Sequence, residues 1–222
     1  MRGALNGNVL VIATRNQGKV REFAHRFGKL GLTVKSLADY EALPDIVEDR
    51  DTFAGNAEKK AVVIAQALGL PVLADDSGLC VDALDGAPGV YSARYAGEPS
   101  DDAANNRKLL RELQQLRPTP AAALEPPAPE PAPDGARALS TARFVCALAV
   151  HDPETGATLH AEGACEGWIL DRALGDNGFG YDPLFLVPAY GRTMAQLSIE
   201  EKNAISHRAV AIDRLLELWR DQ

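Results

Sequence analysis

Residues 8–31 read NVLVIATRNQGKVREFAHRFGKLG, and the order of patterns within them decides the fold class. Asn8 to Thr14 form a short β-branched apolar run, RNQGK at 15–19 is polar, and VREFAHRFGKLG at 20–31 has helical spacing. Strand, loop and helix in that order open an α/β protein. A second helix is expected across NAEKKAVVIAQALGL at 56–70, ending at Gly69 with Pro71 beyond it. PVLADDSG at 71–78 then reads as a buried strand emptying into a carboxylate-rich turn.

Further along, a Gly/Pro-rich loop at 84–100 leads to a polar-faced helix at 101–116, whose Asp101 and Asp102 suit its positive N-terminal end. The stretch from Pro118 to Asp134 holds seven prolines and almost no large apolar side chain. So little burial does not offset the entropy of ordering it, and it reads as a flexible surface insertion. The strand-like runs 142–152 and 157–170 flank the turn signal DPETG, which predicts an antiparallel hairpin and therefore a mixed sheet. Near the end, Ser198 and Glu201 have capping-box spacing, and Ala209, Ile212, Leu215, Leu216 and Trp219 make a helical apolar stripe. No internal repeat is visible.

A chain of 222 residues with 46% hydrophobic content suffices for one large domain, or two closely joined lobes sharing a core. Three cysteines, Cys80, Cys146 and Cys165, form no CxxC pair and suggest neither a disulfide framework nor a zinc knuckle. With no stretch of membrane-spanning length and no cleavage-site pattern, a cytoplasmic setting is expected. The net charge of -8 argues against a broad duplex-binding surface, which needs clustered Lys and Arg. A single triphosphate remains possible, held by a few cations and a metal ion.

Four segments could carry chemistry. Thr14-Arg15-Asn16-Gln17-Gly18-Lys19 lies at a strand-to-helix turn, where backbone amides, the helix dipole and a lysine can cradle phosphate. The match to a P-loop is superficial and disfavours an ordinary P-loop kinase or ATPase, because Ala13 stands where the first glycine belongs and Val20 where Ser or Thr is needed. The bland alternative is a helix start with a solvated lysine. Asp75 and Asp76 are costly to bury without donors or a cation, and in a strand their side chains point to opposite faces. One can therefore face a metal while the other serves the fold, with Glu48, Asp49 and Asp51 available to complete an oxygen site for Mg2+. An ordinary Asx turn is the competing reading. Asn177-Gly178-Phe179-Gly180-Tyr181-Asp182-Pro183 combines permissive glycines with an aromatic face suited to a stacked base, or to plain packing. Lys202 with Ser206-His207-Arg208 offers cations for phosphate or base carbonyls, or a solvated face. Ser77 and Cys80 are weak nucleophiles, since His207 lies in a different segment and nothing evident orients it.

Taken together, ATRNQGK, TFAGNA at 52–57, ADDSGLCVDALDGAPGVYSARYAG at 74–97, GFGYDPLF at 178–185 and EKNAISHRA at 201–209 resemble the inosine triphosphate pyrophosphatase family, also described as dITP/XTP pyrophosphatases. The resemblance covers almost all of 1–222, and only the 118–134 insertion is longer than usual. It implies an elongated mixed α/β fold of two lobes with a central active-site cleft, a homodimer, and Mg2+. It further implies that Thr14, Arg15, Asn16, Gln17, Gly18, Lys19 and Ser77 hold the triphosphate. Glu48 and Asp76 would hold the metal, with Asp76 also activating water, and Asp75 would stand behind them. Gly55 departs from the pattern, where many relatives have glutamate. For the base, Phe179, Gly180, Tyr181, Asp182, Lys202, His207 and Arg208 are implied. Arg208 donating to O6 and Asp182 accepting from N1 would favour hypoxanthine or xanthine over adenine. The expected reaction takes ITP, dITP or XTP to the monophosphate and pyrophosphate.

Overall fold

The computed structural model describes residues 8–116 and 133–220. Its seven strands form one mixed sheet in the order β2-β1-β3-β4-β5-β6-β7. The strands are β1 (Val9–Ile12), β2 (Thr33–Ser36), β3 (Val72–Val81), β4 (Ala138–His151), β5 (Thr158–Leu170), β6 (Phe185–Val187) and β7 (Arg192–Thr193). β1 is parallel to β2 and β3, whereas β5–β6 and β6–β7 pair antiparallel. The helices are α1 (Gln17–Gly28), α2 (Phe53–Leu68), α3 (Asp102–Gln115), α4 (Ile199–Ile205) and α5 (His207–Arg220). The mixed sheet with flanking helices agrees with the sequence reading.

Local capping sets the boundaries. The Asn16 side chain accepts from the Lys19 N–H, so α1 begins at Gln17 and takes in three residues expected in the loop. Thr52 caps α2 in the same way through the Gly55 N–H, starting that helix at Phe53 rather than Asn56. Gly69 ends it in a left-handed conformation at φ 63°, as its glycine predicts. The carboxylate-rich turn expected after Ala74 is a correction: Asp75, Asp76 and Ser77 lie inside β3, which runs on to Val81. The closing helix is likewise divided at Ser206, whose Oγ accepts from the Ala209 N–H and starts α5 afresh. Ser198 and Glu201 do form their capping box ahead of it. The 118–134 insertion lies outside the described residues except at its end, where Pro133–Gly135 form a single 3-10 turn.

The chain divides into two compact units. Among the described residues the first comprises 8–77, 146–164 and 205–220, and the second 78–116, 133–145 and 165–204. In the first, strand alternation sorts side chains onto two faces. Leu10, Ile12 and Leu73 join Phe23 and Phe27 of α1 and Ile212, Leu215 and Trp219 of α5. Val11, Ala13, Val72 and Ala74 instead join Ala57, Ala61 and Ile64 of α2. The sheet portion of this unit is therefore covered on both sides. In the second unit, Trp168, Leu170 and Leu186 form a cluster with Ala136 and Ala138.

Candidate functional site

The same alternation separates the two aspartates. Asp75 shares the parity of Leu73 and faces α1 and α5, while Asp76 shares that of Ala74 and faces α2. Asp75 forms ion pairs with Lys19 and, through Oδ2, with Arg208 Nε at 3.1 Å. Cys146 adds an Sγ–H donor to the same oxygen at 3.1 Å. Burial opposes ionisation of Asp75, but Arg208 and Lys19 outweigh it and hold the carboxyl far below the usual range. The Cys146 thiol, buried beside this anion, is pushed well up.

Asp76 meets Lys60 of α2, whose Nζ lies 3.1 Å from Asp76 Oδ1 and 3.2 Å from Glu48 Oε1. Burial lifts the Asp76 pKa above its ordinary value; Lys60 opposes the rise and Glu48 adds to it. For Lys60, burial disfavours the charge, yet Asp76 and Glu48 prevail and its pKa is raised. The segment bearing Glu48 is held by Asn56, which accepts from the Arg50 N–H at 3.0 Å and donates to its carbonyl at 3.2 Å. Asp49 pairs with Lys59 at 2.7 Å, and Asp51 is exposed, so neither joins Glu48 and Asp76 as the acidic cluster suggested.

Lys60 is a site residue that motif reading passes over. A signal for it does exist in the sequence: helical spacing puts it on the buried side of α2 with Asn56, Ala57 and Ala61, where a lysine requires partners.

These residues fit a Mg2+ ion. Asp76 Oδ2 is buried without a hydrogen-bond partner among the described residues, leaving a hard anionic oxygen beside Glu48. Among those residues no group of three or more His, Cys, Asp or Glu forms a metal cage. Mg2+ is ordinarily bound by only one or two carboxylates plus substrate phosphates.

Around Lys19, Thr14 Oγ1 accepts from the Asn16 N–H at 3.2 Å, shaping the turn into α1. Arg15, Asn16 and Gln17 are exposed there, Gly18 is buried, and the Lys19 side chain is 16% exposed. Thr14–Lys19, Glu48, Lys60, Asp75, Asp76, Ser77, His207 and Arg208 all belong to the first unit.

In the second unit, Asp182 Oδ2 accepts from the Phe179 N–H at 3.0 Å and from Lys202 Nζ at 2.7 Å. The Lys202 ammonium also lies over the Phe179 ring, 4.7 Å from its centroid. A side chain at Gly178 would strike Asp182 Oδ2 at 2.1 Å, and the φ of 82° there favours glycine besides. Phe179 is half-buried.

Three residues expected at the base site make hydrogen bonds within the protein. Arg208 is 2% exposed, and its three nitrogens donate to Asp75, Glu22 and Ser77. Tyr181 is 4% exposed and donates its hydroxyl to the Ser92 carbonyl at 2.8 Å. Gly180 has both backbone groups occupied, its N–H by Asp102 and its carbonyl by Asn106. The fourth segment is also split: Lys202 is buried in the second unit, and His207 is buried at the start of α5 in the first.

Comparison with known proteins agrees with the motif set. The sequence profile of the Ham1 family matches residues 10–125 and 132–218. A dITP/XTP pyrophosphatase of Geobacillus kaustophilus is 50% identical over 212 residues, 96% of this chain and 94% of that protein. The solved Ham1 protein of Staphylococcus aureus is 40% identical with a TM-score of 0.74, covering 96% of this chain and 98% of its own. A HAM1 protein from Coxiella burnetii gives 39% and 0.77, covering 96% and 99%. With sequence and fold matched along nearly the whole length, this chain belongs to the Ham1 family.

Proposed function

We propose that this nucleoside triphosphate pyrophosphatase hydrolyses deaminated purine nucleoside triphosphates, ITP, dITP and XTP, to the monophosphate and pyrophosphate with Mg2+. The observation that carries this reading is Asp76: Lys60 fixes its Oδ1, while its buried Oδ2 keeps an unused acceptor. A carboxylate so held, with a raised pKa, suits a general base for water. Lys19, at the first turn of α1, supplies positive charge where a triphosphate would meet helix N–H groups. Attack on the α-phosphorus would expel pyrophosphate, whose charge Lys19 and Lys60 can offset. Glu48 and Asp76 would hold the Mg2+, which when bound polarises phosphate oxygens and neutralises the leaving group.

Base preference rests on the dITP/XTP activity for which the half-identical relatives are named, and on Phe179 as a stacking face. Lys202 is a cation beside that ring. The resemblance carries with it a homodimer, and three cysteines without a CxxC pair suit a cytoplasmic setting. Among the described residues no helix is long and apolar enough to cross a membrane.

The test is an assay of ITP, XTP, dITP, GTP, ATP and dTTP, measuring pyrophosphate and orthophosphate separately, with and without EDTA. Pyrophosphate from the deaminated purines, abolished by EDTA and restored by Mg2+, is the expected result. Orthophosphate as the first product would refute α-phosphorus attack, and fastest turnover of dTTP would overturn the base assignment.

A further inference from the structure

We propose that Asp102 and Asn106 of α3 are positioning residues, which set the Phe179 ring for base stacking by gripping both backbone groups of Gly180; this rests on the stacking reading above. Asp102 Oδ2 accepts from the Gly180 N–H at 2.7 Å, and Asn106 Nδ2 donates to the Gly180 carbonyl at 2.9 Å. Spaced i, i+4, the two side chains share one helix face and together mimic the pairing of a neighbouring strand.

Capping of their own helix does not call on either residue. The N-terminal cap of α3 comes from Asp101, which accepts from the Ala104 N–H at 2.9 Å, leaving the Asp102 carboxylate to reach outward. The Asn106 amide has a fixed sense, since turned over it would set Oδ1 against the Gly180 carbonyl. The platform is itself anchored. Asn105 donates to the Ala93 carbonyl at 3.0 Å and accepts from the Ala96 N–H at 2.6 Å, while Leu109 and Leu113 are buried.

The loop requires such a grip. Gly178 and Gly180 flank the ring with φ of 82° and 62°, conformations that glycine enters and leaves freely. From inside, Asp182 holds Phe179 itself, its carboxylate accepting from the Phe179 N–H at 3.0 Å and its own N–H donating to the Phe179 carbonyl at 3.3 Å, but makes neither bond to Gly180. The outer clamp removes the remaining freedom at Gly180, so less ordering entropy is lost when a base stacks.

Four variants test this: Asp102→Ala, Asp102→Asn, Asn106→Asp and Phe179→Ala, with melting temperature recorded for each. Asn106→Asp keeps the shape but turns an acceptor toward the Gly180 carbonyl. Asp102→Asn keeps an acceptor for the Gly180 N–H. Readouts are kcat and KM for ITP, binding of inosine monophosphate, and inhibition by inorganic tripolyphosphate. Asp102→Ala and Asn106→Asp should raise KM and weaken monophosphate binding roughly tenfold, the size of one stacking contact. Their kcat and tripolyphosphate inhibition should stay within about twofold, and Asp102→Asn should resemble wild type. Phe179→Ala should match the two disruptive variants, and combining it with Asn106→Asp should add nothing further. If Phe179→Ala raises KM and the α3 variants do not, the clamp is refuted alone. If Phe179→Ala itself leaves KM unchanged, the stacking reading falls and takes the clamp with it.

Discussion

Asp75 and Asp76 are neighbours in the chain whose surroundings ask different things of them. Asp75 is the common anion for Lys19 and Arg208, with Cys146 as a further donor, and it is 1% exposed. Replacing it by Asn leaves the buried Arg208 and the partly buried Lys19 short of their partner, and loss of a buried partner ordinarily costs about 3–5 kcal/mol. Thermal or denaturant melts of Asp75→Asn should show that loss directly. Asp76 keeps one buried oxygen unpaired among the described residues, and its pKa is raised by burial, so its ionised form is not held for stability. Asp76→Asn should lower kcat by about 10²–10⁴, the range of a lost general base, while shifting the melt less than Asp75→Asn does. The reverse ranking of the two variants would exchange their roles. Arg208 belongs with Asp75, and its loss should register first in stability.

At the scale of elements, the approach of β5 to α5 decides whether Arg208 reaches Asp75. A Cβ at Gly163 would lie 2.3 Å from the His207 carbonyl oxygen and 2.4 Å from the Ala211 nitrogen. Both are backbone atoms of α5, so the helix must move to admit a methyl group. Gly163→Ala should therefore destabilise by about 1–3 kcal/mol, as overpacking does. Gly28→Ala is the control, since none of the described residues comes within 4 Å of the place its methyl would take and it sits within α1. That change should be neutral or stabilise by up to about 1 kcal/mol. Equal melting temperatures for the two variants would show that α5 tolerates displacement. Elements such as α2 and α3 were legible in the sequence because apolar spacing and flanking Gly, Pro or Asp mark them. Their starts were less so, because Asn16 and Thr52 act as caps only once the backbone turns toward them.

For the molecule as a whole, net charge sets what it avoids. At -8 the chain has no excess of cations with which to displace counterions from a duplex. A gel-shift titration with duplex DNA at about 0.15 M salt should show no retained complex at micromolar protein, whereas a single triphosphate engages a few local cations. Retention that weakens steeply with salt would mean a basic surface outweighs the net charge. The chain also builds its two chemistry-bearing clusters in different compact units, the carboxylates and lysines in one and the GFGYD turn with Lys202 in the other.

The sequence by itself determined the α/β class, the mixed sheet, the motif set and hence the family, because periodicity, turn residues and motif spacing are local properties of the chain. It offered divergence of Asp75 and Asp76 as one of two readings beside an Asx turn, and only the structure, by running β3 through both residues, decided that alternation parts them. Which of them meets a lysine on α2 and which an arginine on α5 depended on how helices distant in sequence cover the two faces of β3. Tertiary structure alone brought Lys60 between Glu48 and Asp76, withdrew Arg208 and Tyr181 into the interior, and set Asp102 and Asn106 against Gly180. Each of those contacts joins residues 12 to 186 positions apart. Over such separations local preference is silent, and only the shared burial of a charge with its partner selects the pairing.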